Sequence, residues 1–181
     1  MSPVVDPALS EPELRLVDQP STSVTAVISA PPEAIWPIIT DIGFPAKHST
    51  EFRGAQWLDD ATGPSVGARF EGSNANSRIG QWQTISTVTE CCEPVGFSWI
   101  VGDPERPLAE WGFRVTPIDR GSAVQQWHRL GLGESGMTWL IGREPEREHE
   151  IIAGRFERQR RNMRANLEGI ATALGVSIEH R

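Results

Sequence analysis

Apolar and polar side chains alternate from about residue 51 to 131, and apolar ones then recur every third or fourth residue from 146 to 175. The first period is that of half-buried β-strands, the second that of an amphipathic helix. Six runs carry the alternation: EFRGAQWL, ARFEGSN, QWQTISTVTECC, GFSWIVG, LAEWGFRVTP and AVQQWHRL. The links DDATGPSVG, ANSRIG, Glu93-Pro94, DPERP and IDRGS are rich in turn-forming residues. Consecutive strands on links this short form an antiparallel meander. Towards the end of the chain Ile152, Phe156, Met163, Leu167, Ile170 and Leu174 fall on one side of a helix of about seven turns, which Gly175 ends.

Ahead of the meander, VTAVIS at 24–29 alternates as a further strand. APPEAIWPIITD then predicts a short helix. Pro31 and Pro32 suit its first turn, Glu33 suits its N-terminal dipole, and Ile35, Trp36 and Ile39 share a face. Pro37 confines it, and Gly43 and Pro45 separate it from a second short helix near 44–49. Residues 1–20, Pro-rich and acidic, predict a flexible arm, either free or partly docked, 21–176 the folded domain and 177–181 a tail. GLGESGMTWLIGREPE at 131–146 predicts a long link, in which Met137, Trp139, Leu140 and Ile141 are either a lid or simple packing.

An antiparallel sheet has one apolar face, and one long helix must cover it. The predicted fold is therefore α+β: a seven-stranded curved antiparallel sheet around the C-terminal helix, with two short helices after the first strand. A curved sheet wrapped on one helix leaves space near a helix end, a natural small-molecule cavity.

Composition sharpens this picture. The 181 residues include seven Trp and six Phe but no Tyr. Trp buries a large flat surface with one N–H donor, which suits a large core, a ligand cavity or both. The net charge of −7 argues against a nucleic-acid or anionic-membrane binder. Arg155, Arg158, Arg160, Arg161 and Arg164 are offset by neighbouring glutamates and read as the solvated face of the last helix. Cys91 and Cys92 are adjacent, point to opposite faces of a strand and cannot bridge, which fits a reducing cytoplasm. The N-terminus lacks the features of a signal peptide, and no run is apolar enough to span a membrane. Neither integral membrane association nor nucleic-acid binding is expected, and both monomer and homodimer stay open.

Strand parity proposes the cavity wall. Phe70 shares a face with Ala68 and Gly72; Trp82, Thr84 and Ser86 share one with Val88; Phe97 and Trp99 with Val101. Trp111 and Phe113 lie with Val115, and Gln126 and His128 with Val124 and Leu130. Ile152 and Phe156 from the helix and Trp139 from the link complete the set. A bulge in any strand would reverse part of it. Arg69, Glu71, Glu110 and Arg114 take the opposite parity and read as solvent-side pairs, while Arg78 sits in a turn and could guard the cavity mouth. An aromatic wall with sparse polar groups suits a flat, largely apolar ligand with a few oxygens.

His128 is the one histidine in a predicted strand. It is either a general acid or base, a neutral wall residue contacting ligand, or structural. No dinucleotide or phosphate-binding loop is present, GESGM falls short of a nucleophile elbow, and HEIIA lacks the second His of a zinc-protease helix. His48, His128, His149 and His180 show no ligand spacing, so no metal and no cofactor are expected.

ISAPPEAIWPIITD, VGARFEG, TVTECCEPVGFSWIVG, EWGFRVTPIDRGSAV and RRNMRANLEGIA, in that order, resemble the START-like superfamily with the helix-grip fold, in particular the bacterial polyketide cyclase/dehydrase-like (SRPBCC) proteins. The resemblance covers roughly residues 22–175 and implies a sheet gripping the last helix around a hydrophobic cavity. The family includes aromatic polyketide cyclases, lipid carriers and hormone receptors, so fold leaves function open. A carrier or sequestering protein for a lipid or polyketide-like molecule needs only the cavity. A cyclase, aromatase or dehydratase needs His128 as acid or base with Gln126 orienting it. An interaction domain would fill the cavity with its own tryptophans. The absence of a visible catalytic constellation favours the first.

Overall fold

The computed structural model describes residues 13–77 and 80–181. Eight strands among them form a single antiparallel sheet: β1 (Ser21–Ile28), β2 (Phe52–Trp57), β3 (Arg69–Asn76), β4 (Gly80–Cys92), β5 (Gly96–Val101), β6 (Ala109–Ile118), β7 (Gly121–Leu130) and β8 (Ile178–His180). Their spatial order is β2-β3-β4-β5-β6-β7-β1-β8. Helix α1 (Pro32–Ile39) and a 3-10 turn at Phe44–Lys47 carry the chain from β1 to the far edge, where the meander begins. A second helix, α2 (Gly136–Arg143), precedes the long helix α3 (Glu148–Leu174).

The inner face of the sheet packs on α1 and α3. Val24, Ala26 and Ile28 of β1 join Ile35 and Ile39 of α1 and Met163, Leu167 and Ile170 of α3 in one buried cluster. Each of those three α3 side chains is fully buried, which stabilises the fold by about 1.5–3 kcal/mol apiece. Gly175 takes φ +66° after the helix, and its N–H closes the last turn on Thr172.

Two sequence expectations need correction, and β4 carries a bulge. The strand count is eight because the predicted tail 177–181 contains β8, which pairs with Ala26–Ile28 of β1. The predicted link 131–146 contains α2, started by a capping box in which Ser135 and Thr138 each satisfy the other's backbone N–H. In β4 the register shifts between Val88 and Glu90, so Cys91 rather than Glu90 follows Val88 into the core, opposite Phe97.

Residues 13–20, assigned by sequence to the arm, lie against the domain. Leu14 N–H donates to His149 Nδ1 (3.0 Å) and Leu16 N–H to Glu148 Oε1 (2.7 Å). Both leucines pack on Leu130, Ile152 and Phe156 beside Met137 and Ile141 of α2. The remainder of the arm, and Arg78, lie outside the described residues. No helix among the described residues is long and apolar enough to cross a membrane.

Candidate functional site

β7 is hydrogen-bonded on both edges, to β6 and to β1, so its inward side chains sit at fixed positions on the sheet. Gln126 and His128 point inward from it beneath α3, and both are buried. Asn166 of α3 reaches down to Gln126, its Nδ2 donating to Oε1 at 3.1 Å. Asn166 Oδ1 and His128 Nδ1 are buried with no hydrogen-bonding partner among the described residues. Each such unsatisfied atom costs about 1–3 kcal/mol and is therefore a feature to explain.

Trp111 is His128's direct cross-strand partner, with ring centroids 4.2 Å apart, and Phe156 meets the imidazole edge-on at 6.0 Å. Desolvation between these rings pushes the His128 pKa down to about 3, and the nearby Arg155 guanidinium pushes in the same direction. The imidazole is thus neutral at neutral pH: a hydrogen-bonding group, and a poor proton store.

The other predicted wall residues fall into three groups. Phe70, Phe97, Trp99 and Phe113 form an aromatic layer, with Trp99 5.4 Å from Phe97, 6.0 Å from Phe70 and 6.4 Å from Phe113. Trp57, which the sequence reading passed over, extends it through Phe70 at 5.6 Å. Ser86 is buried on the same face, while Trp82 and Thr84 are half-buried towards the β3 edge. Ile152 is fully buried in the smaller cluster with Leu130 and Phe156. Trp139 stands apart: it is 63% exposed, with the Arg143 guanidinium over its ring at 4.8 Å.

Besides Trp57, the sequence reading passed over Glu51, Gln159 and Asn166 and misplaced Arg155. Arg155, assigned to a solvated helix face, turns inward instead. Its Nη1 donates to Glu51 Oε2 at 3.1 Å. With the Gln159 amide oriented carbonyl inward, that oxygen accepts from Arg155 Nε at 2.9 Å and Nη2 at 2.8 Å. Glu51 is pinned in turn, since Asn76 Nδ2 donates to its Oε1 at 2.9 Å and Ala75 N–H to its backbone oxygen. The segment carrying Glu51 runs back along α3: His48 lies against Gly169, where a Cβ would come within 2.3 Å of Nε2, and Thr50 meets Asn162. The signal for Gln159 and Asn166 was in the helix period. They occupy inward positions between Phe156, Met163 and Ile170, and both are buried.

Two open hollows lie away from this set. One of about 460 Å³ is on the outer face of the sheet, against Ser21, Ser23, Gln125 and Trp127. The other, about 340 Å³, is beside Pro31, Pro32 and Pro117. Around His128 the side chains pack closely.

Residues 19–175 match the family described as polyketide cyclase / dehydrase and lipid transport. No curated protein matches the chain. Among solved structures it is similar to the polyketide cyclase-like protein Cgl2372 of Corynebacterium glutamicum, at 22% identity and TM-score 0.54 over 86% of this chain and 91% of that one. It is similar to protein Ms6760 of Mycobacterium smegmatis, at 19% identity and TM-score 0.55, over 87% and 92%. It is also similar to the Zhui aromatase/cyclase of Streptomyces sp. R1128, at 14% identity and TM-score 0.59, over 86% and 93%. At these identities the structural likeness speaks for the fold. A sheet closed on its long C-terminal helix, together with a match across most of the chain, places it in the polyketide cyclase/dehydrase and lipid transport family, with the START-like helix-grip fold.

Proposed function

We propose that the chain binds a hydrophobic small molecule, lipid or polyketide-like, between α3 and the inner face of the sheet, as a carrier or sequestering protein. The observation that carries this reading is the pair of unsatisfied buried polar atoms, Asn166 Oδ1 and His128 Nδ1, the imidazole lying against the Trp111 and Phe156 rings. An interior built only for stability would place apolar groups there. Groups that wait for a ligand's oxygen explain the arrangement, and the rings supply apolar contact to the rest of the molecule.

The close packing around His128 means that ligand must displace something to enter. Leu14, Leu16, Met137 and Ile141 cover the Phe156 end, and none of them is fully buried. Short covering elements with modest buried area open at low cost, so that end is the proposed way in.

The alternative, a cyclase, aromatase or dehydratase using His128 as acid or base, asks for an imidazole titrating near the working pH. A pKa of about 3 makes this one a weak base and leaves it no proton to give at neutral pH. Native mass spectrometry before and after organic extraction tests the carrier reading. An extractable mass that a His128→Leu, Asn166→Leu double variant no longer retains supports it. Turnover of a trial polyketide lost in His128→Ala, with binding retained, would overturn it.

A further inference from the structure

We infer that Glu51 sets the charge class of the ligand: by holding Arg155 in a neutral pair, it tunes the site to uncharged, hydroxyl-bearing molecules and against carboxylates. The inference rests on the binding site proposed above and adds what that site selects.

The argument is a charge count along α3. Arg155 is the cation beside His128, and its side chain is 31% exposed against 19% for Glu51. The carboxylate is doubly anchored, on Arg155 and on Asn76, and its backbone is tied to β3 through Ala75. These contacts hold the carboxylate against Arg155, where a second anion would have to compete with it. Gln159 occupies two further donors of the guanidinium with a neutral oxygen. Arg160, five residues on, turns instead to Thr22 of β1 at 3.1 Å. The imidazole of His128 carries no charge at neutral pH. Arg155, the anchored Glu51 and the neutral ring sum to zero, and the nearby Arg158 is exposed to solvent.

A carboxylate entering such a site would be a buried charge without a counter-ion, among the costliest groups to desolvate. A hydroxyl has no such penalty. It can donate to Asn166 Oδ1, which needs a donor, or donate to or accept from His128 Nδ1, whichever tautomer is present. The polar groups left unpaired are those that a neutral alcohol, phenol or enol satisfies. An apolar body beside that group rests on the Trp111 and Phe156 rings.

The test compares two probes of one shape, β-naphthol and β-naphthoate, by isothermal titration calorimetry on the full chain at neutral pH. The unmodified protein is expected to bind β-naphthol at least about tenfold more tightly. Glu51→Gln leaves the Arg155 charge uncompensated, and is expected to move the ratio at least about tenfold towards β-naphthoate. A Glu51→Gln, Arg155→Met double variant removes both charges, guards against a fold defect in the single variant, and is expected to restore the preference for β-naphthol. Equal or tighter binding of β-naphthoate by the unmodified protein would overturn the charge assignment while leaving a binding site in place. An equal change for both probes in Glu51→Gln would also overturn it. Binding of neither probe to any of the three proteins would overturn the site itself.

Discussion

Lowering the pH should destabilise this protein through His128. His128 takes its proton near pH 6.5 in an unfolded chain and near 3 in the fold, because protonation would bury a cation between Trp111 and Phe156 beside Arg155. Between those values the unfolded state binds more protons, so stability is full above about 6.5 and falls as pH drops towards 3. The whole interval is worth about 5 kcal/mol, and about 3 kcal/mol of it is lost by about pH 4. His128→Leu keeps an apolar side chain of similar size there and removes the titration. Urea denaturation of both proteins at about pH 7 and about pH 4, followed by Trp fluorescence, isolates the effect as a difference of differences. The unmodified protein should lose about 3 kcal/mol more than the variant on acidification. Equal losses, within about 0.5 kcal/mol, would show that His128 is not held neutral by burial.

Three further outcomes follow from packing and capping. Met163→Ala empties a fully buried position on α3 and should cost about 2–5 kcal/mol in chemical denaturation. Gly112→Ala would place a Cβ 2.6 Å from the Trp127 ring, which lies across it on the outer face of the sheet. The indole must lift, lowering stability by about 1–3 kcal/mol and changing the Trp emission. Ser135→Ala removes the cap of α2 and should weaken that helix by about 1 kcal/mol, read as faster amide exchange in Gly136–Arg143 than in α3.

The fold was legible because two strong periods and short turn-rich links leave few ways to arrange a sheet and a helix. Strand parity carried over to the inner face for Phe70, Phe97, Phe113, Gln126 and His128, all buried. Past Val88 a bulge resets the parity and leaves no mark in an alternating sequence. β8 escaped because three residues, Ile178–His180, are too short to show a period. The site was half legible. Aromatic and strand positions announce themselves, whereas Arg155 reads as one more arginine in a basic run. Only the tertiary approach of Glu51, more than a hundred positions away in sequence, turns it inward. Gln159 and Asn166 show the opposite failing: polar residues at apolar positions were visible, but an apolar stripe is read for what continues it.

The position of β1 bears on how the chain is made. Ser21 pairs with Arg129 and Ile28 with Ser122, so β1 leaves the ribosome roughly a hundred residues ahead of the strand that completes it. Until β7 and α3 emerge, Val24, Ala26 and Ile28 have no sheet partner and only the short helix α1 beside them. A sheet whose inner strand waits this long has a high contact order and closes slowly. The nascent chain therefore carries an unpaired apolar strand through most of its synthesis, a natural handle for a chaperone and a point of vulnerability when expression outpaces folding.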